Sequence, residues 1–296
     1  MYIILGATGN TGSIIAENLL KAGKQVIVVG RDAAKLQKFK DQGATLAIGD
    51  LSDVNFLTNT FKGAKAVYTL IPPSWVVSDW RQYMINTATT ITIALAKSGV
   101  ENVVNLSSQG AHLPEGAGPV SGLYYMEQML NAIPNLNVRH LRPGFFMQNL
   151  FGYIGMIKHM GIYGQSLKGD IKLPITHTRD IAEVATKNLL NLDFKGSSVE
   201  FVAGKADLSM NELTAIIGKG IGQPELPYIT FSREDELAGM LQNGMSTTIA
   251  QGYSELFNAV NDSSYQDGYI RTDENTTPTS AEWFIENEFK QAFLAS

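Results

Sequence analysis

The chain has 296 residues, a formal charge of −5 and 44% hydrophobic residues, which suits one large α/β domain or a main domain with a smaller companion. It has no cysteine, excluding disulfides, thiolate nucleophiles and iron–sulfur clusters, and its four histidines (His112, His140, His159, His177) are too scattered for a metal site. No Lys/Arg run marks a nucleic-acid surface, and residues 205–296 set 5 Lys/Arg against 14 Asp/Glu, a surplus that repels a phosphate backbone.

The chain opens directly into an apolar run at 2–5, without a charged leader, and its apolar segments fall short of a membrane span; 66–77 is broken by Pro72-Pro73. A soluble, cytoplasmic protein with no membrane partner is expected. Further strand-like runs fall at 26–29, 45–48, 66–71, 103–106 and 138–141. Between them lie amphipathic, helix-length stretches at 11–22, 33–42, 54–61, 80–98 and 122–132. Strands apolar on both faces and separated by helices predict a doubly wound parallel α/β sheet. Gly23 and Gly43 mark helix ends, while Asp32 and Asp53 mark helix starts.

Farther along, Asp180 is read as beginning a helix to Leu192, and 199–203 as extending the sheet. Helices are expected at 209–218 and 232–241. Residues 242–280, rich in Asn, Gly, Ser, Thr and Asp, read as a loop-rich lobe over a pocket, or as simple flexibility. The expected division is 1–150 as a dinucleotide-binding domain and 151–296 as a smaller C-terminal α/β lobe for substrate or partner, with some segments returning to the main sheet.

Gly6-Ala7-Thr8-Gly9-Asn10-Thr11-Gly12 follows the first strand and opens a helix. Glycine permits a sharp turn and close approach of the backbone to a pyrophosphate, which the helix N-terminus then meets. Arg31 follows the second strand, where NAD-preferring enzymes place an acid; with Lys35 a turn later it favours a 2′-phosphate, hence NADP(H), with NAD(H) possible. The alternative is a solvated Arg31 beside Asp32 as a helix cap. Asp50 can accept from an adenine amino group while Leu51 packs the ring, or else Asp50 bonds the next helix terminus. Leu70, Ile71 and Pro72 bring the fourth strand's end past the cofactor, and Ser107 and Pro143 end the fifth and sixth.

With these segments, the chain resembles the NmrA-like branch of the atypical short-chain dehydrogenase/reductase superfamily, and so the Rossmann fold. The resemblance spans nearly the whole length. It rests on the glycine turn, Gly30-Arg31-Asp32, 49–53, Ser107-Ser108, Glu127-x-x-Leu130, 141–149, 178–182 and Pro278-Thr279-Ser280. It implies NAD(P)H:quinone oxidoreductases, triphenylmethane reductases or non-catalytic nucleotide-sensing regulators. Active members of the superfamily place Tyr four residues before Lys, yet none of the eleven tyrosines here has Lys at that spacing. Tyr124 is followed by Gln128 and Tyr125 by Met129, and Leu123 stands where a lysine precedes the family's glutamate, here Glu127.

That absence argues against ordinary carbonyl reduction and sugar epimerisation. Quinone reduction leaves a phenolate-like oxygen, a weak base that water can protonate, so hydride transfer without the pair is the leading expectation. The acceptor is a small apolar or aromatic molecule, with Phe145, Phe146 and Asn149 as its pocket and Ser107 and Tyr124 as the only catalytic candidates. No metal is implied. The alternative is a redox-sensing regulator that binds NADP(H) and a protein partner.

Overall fold

Alternating strands and helices assemble as that pattern requires. A computed structural model describes residues 1–296. The strands are β1 (Tyr2–Ile4), β2 (Val26–Gly30), β3 (Thr45–Ile48), β4 (Ala66–Thr69), β5 (Asn102–Leu106), β6 (Asn137–Pro143), β7 (Phe145–Phe146), β8 (Tyr163–Gln165), β9 (Lys172–Thr176), β10 (Ser197–Val202), β11 (Asp207–Ser209) and β12 (Tyr228–Thr230). Seven form one sheet in the order β10-β6-β5-β4-β1-β2-β3, every pair parallel. Strand order reverses between β1 and β4, opening a crevice at the carboxyl edge there.

Helices α1 (Gly12–Lys21), α2 (Ala33–Asp41), α3 (Val54–Phe61), α4 (Trp80–Ser98), α5 (Pro119–Asn131), α6 (Ile154–Met160), α7 (Thr178–Asn191), α8 (Met210–Ile221), α9 (Arg233–Gln242) and α10 (Thr247–Asn261) follow. Ile3 and Ile4 show why the strands read as apolar throughout. Ile3 packs with Leu57, Ile91 and Leu95 beneath α3 and α4, while Ile4 packs with Ile15, Leu19 and Ile181 beneath α1 and α7. Each such fully buried aliphatic side chain contributes about 1.5–3 kcal/mol. Asp32, Asp53 and Asp79 cap α2, α3 and α4 through their carboxylates.

The expected sheet extension is present: β10 lies parallel to β6 at the sheet's edge. Two expectations change. Asp180 does not begin α7; His177 is its N-cap, with Nδ1 accepting from the Arg179 N–H at 2.9 Å. The Asp180 carboxylate instead accepts from the Thr279 N–H (3.0 Å) and hydroxyl (2.5 Å), fastening the C-terminal segment. Residues 242–280 also contain the 15-residue α10, because Ile249, Ala250, Phe257 and Val260 recur at helical spacing and bury one face despite the polar composition.

The C-terminal part has two small sheets, β11-β9-β7 and β12-β8, over a core that includes Met147, Tyr163, Leu213, Phe284 and Phe289. Gly144 joins it to the main sheet; a Cβ there would lie 2.2 Å from the Pro174 carbonyl oxygen. No helix is long and apolar enough to cross a membrane.

Candidate functional site

The turn between β1 and α1 is shaped by its glycines. Gly6 holds φ +65° with Leu70 packed against it, and a Cβ on Gly12 would stand 2.4 Å from the Gly6 carbonyl oxygen. The Gly9 N–H closes the turn onto that oxygen at 2.9 Å, whereas the N–H groups of Asn10, Thr11 and Gly12 have no backbone acceptor. Thr8, Gly9 and Asn10 are exposed and Ala7 is buried. The result is an open nest of donors at a helix N-terminus. The Thr11 hydroxyl turns inward, 2.9 Å from the Tyr68 hydroxyl, so Thr11 offers only its backbone. Burial pushes the Tyr68 phenol well above its ordinary pKa.

Arg31 and Asp50 meet beside this turn, 3.9 Å apart, with the Arg31 side chain 81% exposed. The Ser52 backbone N–H donates to Asp50 at 2.9 Å; this bond, with Arg31 adding to it, holds the Asp50 carboxyl below its ordinary pKa. Asp32 is spent on its cap, accepting from Ala34 and Lys35 N–H groups, while the Lys35 side chain is exposed. Leu51 and Phe56 each pack against the core beneath α3 and α4, and the Phe56 ring occupies the space a Cβ on Gly49 would need. The Tyr83 hydroxyl donates to the Pro72 carbonyl at 2.7 Å, fixing the chain beyond β4, and Ile71 is buried beneath it.

Farther along the same edge, β5, β6 and α5 form a buried polar ladder. Asn105 and His140 are cross-strand partners, Asn105 Nδ2 lying 3.1 Å from His140 Nδ1, and His140 Nε2 meets Asn131 Oδ1 on α5 at 2.8 Å. Two residues on, the Ser107 hydroxyl donates to Glu127 at 2.5 Å, and Arg142 grips the same carboxylate at 2.5 and 3.0 Å. Ser107 is therefore committed to a buried ion pair. The Gln109 N–H donates to the Pro143 carbonyl at 2.9 Å, but both heteroatoms of its 1%-exposed side chain lack a partner.

Tyr124 is half-buried on α5, edge-on to the exposed Tyr125 with ring centres 5.5 Å apart. Phe145 and Phe146 do not share one wall. As neighbours in β7 they face opposite ways, Phe145 into the C-terminal core and Phe146 onto the α1/α7 face of the sheet, while Asn149 is exposed. The structure instead brings Tyr265, in the turn Ser264–Gln266, over the loop after β5. Its hydroxyl lies 3.3 Å from the Ser108 hydroxyl, and His112 Nε2 is 3.0 Å from the Ser264 carbonyl. Burial raises the Tyr265 phenol to about 12. Nothing local marks Tyr265, which sits in a polar stretch 157 residues from Ser108; Gln109 and Tyr83 likewise gain meaning only from their neighbours. No group of three or more His, Asp or Glu side chains is arranged to hold a metal ion.

The reversing parallel sheet and the glycine nest at its switch point define a doubly wound fold of the dinucleotide-binding class. The chain belongs to the NmrA-like family, whose model matches residues 2–285. An NAD(P)H azoreductase of Xenophilus azovorans is 27% identical over 296 residues, covering 100% of this chain and 99% of the relative. Quinone oxidoreductase 2 of Escherichia coli is 26% identical over 252 residues, 84% of each chain. Among solved structures, the Escherichia coli NADPH-dependent quinone oxidoreductase complexed with NADPH aligns with TM-score 0.79 at 21% identity, covering 98% of this chain and 100% of that one. Citrobacter sp. triphenylmethane reductase complexed with NADP(H) aligns with TM-score 0.78 at 17% identity, covering 98% and 99%.

Proposed function

We propose that this protein is an NADP(H)-preferring oxidoreductase that reduces quinones or similarly flat, conjugated acceptors without a Tyr–Lys pair. The observation that carries the reading is the nucleotide cradle in a chain that lacks that pair: a Cβ at Gly6 or Gly12 would collide with its neighbours, and the N–H groups of Asn10, Thr11 and Gly12 have no backbone acceptor. Such a cradle fits a pyrophosphate. In this reading the turn from Gly6 to Gly12 holds the phosphates, Arg31 and Lys35 attract a 2′-phosphate, and Asp50 and Leu51 border the adenine. Leu70, Ile71, Pro72 and Pro143 carry the chain past the rest of the cofactor. When bound, NADPH supplies the hydride.

The residues around the reacting centre orient a flat acceptor, and the weakly basic oxygen that results takes its proton from solvent. The names of the azoreductase and quinone oxidoreductase relatives support this class of acceptor. Residues 151–296 supply the acceptor side of the site. Steady-state assays of NADPH and NADH with quinones, azo dyes and simple ketones test the proposal. Turnover of quinones with NADPH favoured, and loss of that preference in Arg31→Ala, is expected; turnover of ketones alone refutes it.

A second reading, a redox-sensing regulator, draws on the same missing pair. It predicts no turnover of any acceptor and a protein partner retained in the presence of only one of NADP+ and NADPH.

A further inference from the structure

The ladder under α5 has three levels; at the first two the strand side chains find partners, with Asn105 Oδ1 alone left open, and at the third Gln109 finds none. Strand register pairs Asn105 with His140, and the same offset, continued by the Ser107 N–H to Leu141 and Gln109 N–H to Pro143 bonds, pairs Ser107 with Arg142 and Gln109 with Gly144. On α5, Asn131, Glu127 and Leu123 follow one another at four-residue steps toward the carboxyl edge of the sheet, Glu127 buried, Leu123 half-buried and Asn131 reaching in from an exposed position. Asn131 answers His140 at the first level, and Glu127 answers Ser107 and Arg142 at the second. The third level offers only a leucine side chain and a glycine.

Gln109 at that level is 1% exposed, and neither its Nε2 nor its Oε1 has a partner. A buried carboxamide left unpaired is expensive, and such groups call for a specific explanation. Gln109 also lies at the carboxyl edge two strands beyond the glycine turn, across β4 and onto β5. A dinucleotide seated on that turn extends its nicotinamide half in this direction.

We propose that Gln109 is the anchor for the cofactor's nicotinamide carboxamide, a role that rests on the NADP(H)-binding part of the reading above. The two open atoms select the ligand. Gln109 Nε2 donates and Oε1 accepts, so the matching group must accept and donate side by side, as a primary carboxamide does. A quinone carbonyl only accepts, and would leave Oε1 unpaired. The loop carrying Gln109 is covered by the Ser264–Gln266 turn, since the Tyr265 ring lies where a Cβ on Gly110 would point, 2.3 Å away. For a carboxamide to reach Gln109, that turn must move aside.

Isothermal titration of the full-length protein, unmodified and as Gln109→Leu, tests this with three probes: NADP+, adenosine 2′,5′-bisphosphate lacking the nicotinamide half, and the 3-acetylpyridine analogue of NADP+, which keeps the carbonyl but has methyl for the amide nitrogen. Gln109→Leu is expected to weaken NADP+ binding about 10- to 100-fold, on the scale of two hydrogen bonds in a buried site. Its affinity for the bisphosphate stays unchanged, and its preference for NADP+ over the acetylpyridine analogue disappears. The unfolding midpoint of Gln109→Leu holds or rises, because an unpaired amide has been replaced by an apolar group of similar size. Gln109→Met, of similar length, repeats the titrations should the leucine variant misfold.

An unchanged ratio of NADP+ to bisphosphate affinity overturns the proposal, as does an equal loss for both, which would mean collapse of the site. Unmodified protein that binds NADP+ but reduces no quinone refutes only the reaction, whereas protein that binds no NADP(H) refutes both.

Discussion

Replacing Glu127 by leucine exposes how much the second level of the ladder contributes. The carboxylate is 2% exposed and the Arg142 side chain 12%. Glu127→Leu leaves the guanidinium without a counter-charge and the Ser107 hydroxyl without its acceptor, while adding a side chain of similar bulk. An uncompensated buried charge costs about 3–5 kcal/mol, and the orphaned hydroxyl about 1 kcal/mol more. The residual access of Arg142 to water trims the total, so a loss of about 3–5 kcal/mol is expected. Urea unfolding followed by fluorescence and circular dichroism measures it. The double variant Glu127→Leu/Arg142→Met removes both charges, and its loss should return to within about 1–2 kcal/mol of the unmodified protein, recovering about 2–3 kcal/mol of what Glu127→Leu alone loses. A single-variant loss below about 1 kcal/mol, or a double variant at the sum of the two singles, would show that the pair does not hold α5 to the sheet.

His140 makes stability depend on pH, because burial lowers its pKa to about 4 from 6.5. Between those values the unfolded chain holds the extra proton, so the contribution is complete above pH 6.5 and is lost as pH falls toward 4, by at most about 1.4 kcal/mol per pH unit. His140→Gln should flatten that window in denaturation series; an unchanged slope counts against a neutral buried ring. In the proposed reaction, Ser107→Ala and Tyr124→Phe should each keep kcat within about tenfold, below the range for loss of a general acid. A collapse of kcat in Tyr124→Phe would reveal a proton donor. Gly12→Ala forces a methyl onto the Gly6 carbonyl, so a stability loss of about 1–3 kcal/mol with weakened NADPH binding is expected. Normal binding by a stable Gly12→Ala protein would contradict the close packing of α1 on the turn.

Sequence alone determined the layered sheet, because in-and-out burial on both faces leaves continuous apolar runs, and helix starts such as Asp53 carry their own capping chemistry. It also determined the glycine turn, since Gly6 and Gly12 answer a steric demand made within a few residues. Tertiary structure alone decided which polar groups are free. Ser107 reads as an available hydroxyl until Glu127, twenty positions away, takes it, and Asp180 reads as a cap until Thr279 claims it. Phe145 and Phe146 read as one wall until pairing with β9 sends them to opposite faces. Tyr265 and Gln109 matter only through neighbours that the chain brings back from afar, because the hydrogen bonds of a buried side chain are set by strand register and helix phase rather than by the residues beside it in sequence.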